Sequence, residues 1–144
     1  MVSPGRLVAT LGGAKVFRQR QASYSVVAAR VRAGLPYIAL EAVATRFAIP
    51  QDALFRVLHI PPRTLARRKK ARRLHADESD RLLRLGRVAA VAEEVLGSSK
   101  KAGSWLKKPN RALGGLVPLD QLDTDIGAHQ VLDILGRIEH GIYS

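Results

Sequence analysis

Cysteine is absent from this chain, so disulfides and thiolate metal sites are excluded. Aromatic residues are scarce, at 5% with a single tryptophan. That scarcity argues against a single-strand nucleic-acid binder, which stacks bases on aromatic rings. No stretch approaches the ~20 apolar residues of a membrane helix. The opening segment, MVSPGRLVATLGGAKVF, lacks an apolar run long enough for a secretory signal. These absences lead to the expectation of a cytoplasmic protein with no membrane partner. Acidic residues are also few: 12 Asp and Glu against 24 Lys and Arg leave a net charge of +12. Such an excess serves a polyanionic partner, most often nucleic acid.

What is present is a globular composition, 47% hydrophobic and 25% charged over 144 residues. That length suits one compact domain or two small ones sharing a core. The charge is unevenly spread. Residues 1–74 hold 15 Lys and Arg against 2 acids, whereas residues 75–144 hold 9 against 10. The first half therefore carries the whole excess. One half is expected to face an anion and the other a different partner.

Apolar residues recur at helical spacing along most of the chain, and period-two alternation is missing. An all-α fold is predicted, with one helical core continuing across both halves. Residues 1–24 read as a flexible lead-in, because Gly5, Gly12 and Gly13 interrupt any periodicity. Residues 25–76 read as a helix-turn-helix domain and residues 77–144 as a second helical module. Within the first domain a short helix stops at Gly34, and Pro36 opens the next, which carries Ile38, Ala39, Ala42, Val43, Ala44 and Phe47 at three-to-four spacing, so that one face is buried. Gln51–Leu58 follows, then a turn at His59–Pro61, then a helix begun by Pro62. In the second module Asp77 is the expected N-cap of the longest helix, which Gly97 ends. A short helix is expected near Lys101–Leu106. Asp120 and Thr124 are expected caps, and Thr124 would start the last helix, with Ala128, Val131, Leu132, Leu135 and Ile138 on its apolar face.

The segment 51–72 has the layout of a helix-turn-helix. Seven of the eleven residues from Arg63 to Arg73 are Lys or Arg. With Leu65 facing the core, Arg63, Arg67 and Lys70 fall on the opposite face. Arg68, Lys69 and Arg72 fall nearer the flanks of Leu65. Arginine grips guanine edges with two hydrogen bonds while flanking cations hold phosphates. Arg63, Thr64, Arg67, Arg68, Lys69 and Lys70 are the candidate DNA-binding residues. The same run also fits a solvated basic helix, a common feature of protein surfaces. His59 stands where such turns often carry glycine, and histidine tolerates left-handed geometry better than most residues.

The second half carries longer patterns. They are Glu78–Ser79–Asp80–Arg81–Leu82–Leu83, the run from Ala102 through Trp105–Leu106 to Pro109–Asn110, and Ala112–Leu113–Gly114–Gly115. Pro118–Leu119–Asp120, Thr124 with Gly127, and the ending Ile138–Glu139–His140–Gly141–Ile142–Tyr143 complete the set. With Gly34–Leu35–Pro36 and Arg63–Thr64–Leu65, they resemble the Xre/MbcA/ParS antitoxins over roughly residues 34–144. The resemblance implies a type II antitoxin that shields the NAD pocket of a RES-domain toxin. It also implies a homodimer that represses its own operator, associated with the nucleoid when bound there. It points to Glu139, His140, Ile142, Tyr143 and Ser144 as toxin-binding residues. The bulky Ile142 and Tyr143, just past a helix-stopping glycine, suit a plug for a partner's pocket; a frayed end is the plainer reading.

Other residues have ordinary readings. Trp105 is either core or an interface anchor. Asn110, Gly114 and Gly115 shape a loop. Asp120, Asp123 and Asp125 lack the glycine and distal glutamate of a calcium loop. His129 and His140 have no evident third ligand. No paired nucleophile and base or phosphate-cradling loop supports an enzyme, and no cofactor is expected. A stand-alone regulator whose second module only dimerises is the alternative to the antitoxin.

Overall fold

The computed structural model describes residues 2–18 and 22–141. Its helices are α1 (Pro4–Thr10), α2 (Tyr24–Ala33), α3 (Tyr37–Arg46), α4 (Gln51–Leu58), α5 (Pro62–Ala71), α6 (Ala76–Leu96), α7 (Ser99–Lys107) and α8 (Asp125–Glu139). The 3-10 turns Gly13–Lys15, Arg111–Leu113 and Pro118–Asp123 join them. Among the described residues there is no strand, only isolated bridges at Pro36–Arg73 and Asn110–Leu116. The all-α expectation is met.

The long helix α6 is the axis on which the rest assembles. Leu82, Leu85, Val88, Ala89 and Ala92 are fully buried along it. Burying each such leucine contributes about 2 kcal/mol. Helices α1, α2, α4, α7 and α8 all pack against α6. One apolar core therefore runs from Leu11 near the start to Leu135 near the end. Polar ties reinforce it: the Leu35 N–H donates to Ser79 Oγ at 2.7 Å, inside the core.

The opening residues depart from expectation. Residues 2–18 do not form a flexible lead-in: α1 and the 3-10 turn lie there, α1 packing on α6 and the turn on α1. The glycines bend this segment and do not unravel it. Val2, Leu7, Leu11, Val16 and Phe17 are all buried and stabilise its return onto the core. Ser3 caps α1 through Oγ, and Pro4 takes the first helical position. Arg30 donates to the Val16 carbonyl and the Tyr24 hydroxyl to the Val2 carbonyl, the latter at 2.6 Å. Gly12 and Gly13 permit the reversal, with φ of +114° and +63°.

Two caps also differ. The N-cap of α6 is His75, not Asp77. Glu78, three residues on, reaches back to accept from the His75 N–H at 2.8 Å, which fixes the helix start there. Asp120 caps nothing and instead pairs with Arg56. Thr124 does cap α8, accepting from the Gly127 N–H at 3.0 Å.

Candidate nucleic-acid and partner interfaces

Helices α4 and α5 form the expected pair. Ala53, Leu54, Val57 and Leu58 face the core from α4, and Leu65 does so from α5. Pro61 and Pro62 suit the start of α5, since neither has an N–H to leave unpaired. The turn between the helices hinges on His59, at φ 54° and ψ 41°. This is the left-handed geometry expected of that position.

The turn is tied to the second half of the chain. His59 Nε2 lies 2.8 Å from the Asp123 carbonyl oxygen. Arg56 reaches Asp120 at 2.8 Å and Asp52 at 3.2 Å. Arg81 donates to the Leu58 carbonyl, and Arg84 to the Leu122 carbonyl, each at 3.1 Å. The far end of α5 is held as well. The Tyr37 N–H donates to the Arg72 carbonyl at 3.0 Å, and the Leu74 N–H to the Leu35 carbonyl at 2.9 Å. Both ends of the basic helix are thus anchored to the core.

Of the basic residues on α5, Arg63, Arg67, Lys69 and Lys70 are exposed. None of these four has an acidic partner among the described residues. Thr64 is half-buried, and its hydroxyl accepts from Arg67 at 3.3 Å, which braces that guanidinium. Arg68 turns the other way. Its Nε sits 2.7 Å from Glu78, with only 15% of its side chain exposed, and its Nη2 is 3.1 Å from His75 Nδ1. Burial alone would raise the Glu78 carboxyl. Hydrogen bonds from Arg68 and from the His75 N–H, with the Arg68 charge, outweigh burial and hold it below the usual range. The face α5 offers to solvent is therefore Arg63, Arg67, Lys69 and Lys70 without Arg68. Sequence reasoning missed the Arg68–Glu78 pair. The spacing of Glu78 from His75 marks the helix cap but not this partner.

The other expected contact region lies at the end of α8. Glu139 is exposed, and His140 follows as the C-cap. Gly141, at φ +76°, closes the helix. Ile142, Tyr143 and Ser144 lie outside the described residues. Trp105 is half-buried and packs against the core. Asn110 orders its loop by accepting from the Ala112 N–H at 2.9 Å, while Gly114 and Gly115 take positive φ. Glu139, His129 and Arg87 border an apolar cavity of about 480 Å³ between α1, α2, α6 and α8. Among the described residues, no group of three His, Asp or Glu side chains is placed to hold a metal ion. Nor is any described helix long and apolar enough to cross a membrane.

Comparison with known proteins fits this layout. Residues 26–87 match the antitoxin Xre-like helix-turn-helix domain, and residues 91–141 match the antitoxin Xre/MbcA/ParS C-terminal toxin-binding domain. The antitoxin Xre of Yersinia enterocolitica is 33% identical over 83% of this chain and 82% of its own length. The chain belongs to the Xre antitoxin family. A second antitoxin Xre, from Photorhabdus laumondii, is 36% identical over 77% of this chain and 76% of its own. The Prs ADP-ribosylating antitoxin of a Sphingobium strain is 27% identical over 67% of each. This Xre-family chain is thus a type II antitoxin, not an enzyme, with a DNA-binding helix-turn-helix and a toxin-binding domain. The two matches meet inside α6, the helix on which both halves pack.

Proposed function

We propose that this antitoxin blocks a RES-domain toxin by covering its NAD pocket, and that as a homodimer it represses its own operon. The observation that carries the operator half is the anchored α5, whose four exposed cations have no acidic partner among the described residues. A helix held at both ends presents those cations in fixed register to a major groove. Two half-sites read by a two-fold dimer would set the spacing on the operator. The protein would work in the cytoplasm, at the nucleoid when on its operator.

For the toxin half, support comes from the end of α8, inside the toxin-binding match. Glu139 and His140 are exposed there, and the sequence continues into Ile142–Tyr143–Ser144, whose two bulky side chains suit a partner's pocket. The Sphingobium relative's name contains the words ADP-ribosylating, and ADP-ribosyl transfer draws on NAD. That link favours a toxin that consumes NAD.

The test is co-expression of the full chain with the toxin encoded beside it, following growth and intracellular NAD, with a reporter for the operon's promoter. Preserved NAD and growth with a silent promoter are expected. Deleting Ile142–Ser144 should weaken protection while leaving the melting temperature unchanged. NAD collapse despite the full chain would refute toxin neutralisation and leave a stand-alone regulator as the better reading.

A further inference from the structure

The near-neutral charge of residues 75–144 conceals a sharp segregation. Lys100, Lys101, Lys107, Lys108 and Arg111 fall within twelve residues that hold no acid. The remainder of that half has four cations against ten acids. All five side chains are exposed, and none meets an acidic partner among the described residues. They sit on α7 and just past its end, within the toxin-binding match.

The position of α7 matters more than its charge. Gly103 brings α7 so close to the end of α3 that a Cβ there would meet the Phe47 carbonyl oxygen at 2.3 Å. The Lys107 ammonium donates to the Ala48 carbonyl at 2.8 Å. Ala48 lies three residues before α4 begins at Gln51. In a docked helix-turn-helix the first helix crosses the phosphate backbone while the second enters the groove. Helix α7 is therefore fastened beside the start of the helix that meets the backbone. Between α7 and the end of α3 lies a groove of about 440 Å³, lined in part by Ala48, Ser99, Lys100, Ser104, Lys107 and Lys108. Ammonium groups beside serine hydroxyls are what phosphate oxygens accept from.

We infer that α7 is a second DNA-binding element, a clamp on the phosphate backbone of the operator duplex flanking the groove that α5 reads. The toxin-binding domain then contributes directly to DNA affinity. This rests on the operator-binding reading and extends its surface by a helix. The sign of the charge favours DNA over the toxin, since it matches the cationic excess of the first half.

The test uses the full-length quadruple variant K100Q/K101Q/K108Q/R111Q. Lys107 is kept because it bonds to Ala48. Binding to the duplex upstream of the antitoxin's own gene, and to a scrambled duplex of equal length, is measured across a salt series. For every phosphate that is no longer neutralised, the slope of log affinity against log salt should flatten by about 0.9. Four neutralised cations should make the slope shallower by about 2–4, with affinity falling by a similar factor on both duplexes. The matching four-arginine variant should keep the wild-type slope. An unchanged slope, with the variant still folded, overturns the clamp. An unchanged slope together with impaired toxin binding overturns it too and assigns the patch to the toxin. If the wild-type protein binds neither duplex, the operator reading itself fails. If wild type and the quadruple variant bind alike while R67A loses preference for its own duplex, only the clamp fails.

Discussion

The Arg68 guanidinium stands 2.7 Å from the Glu78 carboxylate and joins the basic helix α5 to the first turn of α6. Both groups are largely removed from water, with side chains 15% and 7% exposed. Removing one partner of such a pair leaves the other charge uncompensated, at a cost of about 3 kcal/mol. Glu78→Gln should therefore lower the urea midpoint clearly. A paired change to apolar residues of similar volume, Arg68→Met with Glu78→Leu, should lose much less. A Glu78→Gln protein as stable as wild type would mean that the pair holds nothing together.

The same pair makes stability sensitive to acid. Glu78 is held below its usual range by the bonds and charge that outweigh its burial. Glu93 is held low by its hydrogen bonds from Arg46, against burial, with Arg46 and Arg6 charges helping. A carboxylate depressed by folding stabilises above its unfolded pKa and loses that contribution as pH falls through its folded pKa. Stability from these two groups should be level near neutrality and fall as pH drops below about 4.5. Urea midpoints measured through that range check it. A midpoint that rises on acidification would contradict the assignment.

Arg67 and Arg68 are neighbours with opposite roles. Arg67 is exposed and braced by Thr64, so Arg67→Ala should leave the melting temperature alone. It should weaken operator binding by about 1–3 kcal/mol if the guanidinium reads a base edge. Arg68→Ala should chiefly destabilise the fold. Parallel melts and titrations separate the two, and a reversal of the pattern would place Arg68, not Arg67, at the DNA.

Gly103 is a packing glycine. A methyl group there collides with backbone at Phe47, which has no flexible end to move aside. Gly103→Ala should destabilise by about 1–3 kcal/mol, the usual cost of overpacking. Denaturant titration measures it. A neutral result would show that α7 and α3 can separate without penalty.

Much of the fold was legible because local chemistry and tertiary demand agree. Pro62, His59, Gly97 and Thr124 mark ends that the chain uses. Where they disagree, sequence reasoning failed. Gly12 and Gly13 look like breakers, yet burial of the apolar residues around them outweighs that tendency. Asp77 is a better isolated cap than His75, but the reach of Glu78 decides the start. Arg68 looks like its neighbours until α6 supplies a partner ten residues away. The exposed face of α5 was readable from periodicity, whereas the company α7 keeps with Ala48 depends on how the chain folds back.

The undivided core has an evolutionary consequence. The two family matches meet within α6, whose stripe from Leu82 to Ala92 serves both halves. Residues 91–141 share their core with the first half and do not form a self-contained block. Transplanting residues 91–141 would import the last turns of a foreign α6 and set α8 and α7 against leucines they did not evolve with. Lineages of this antitoxin should therefore change partners by coordinated substitution across one shared helix, and hybrids joined at the match boundary should fold poorly unless the stripe travels with them.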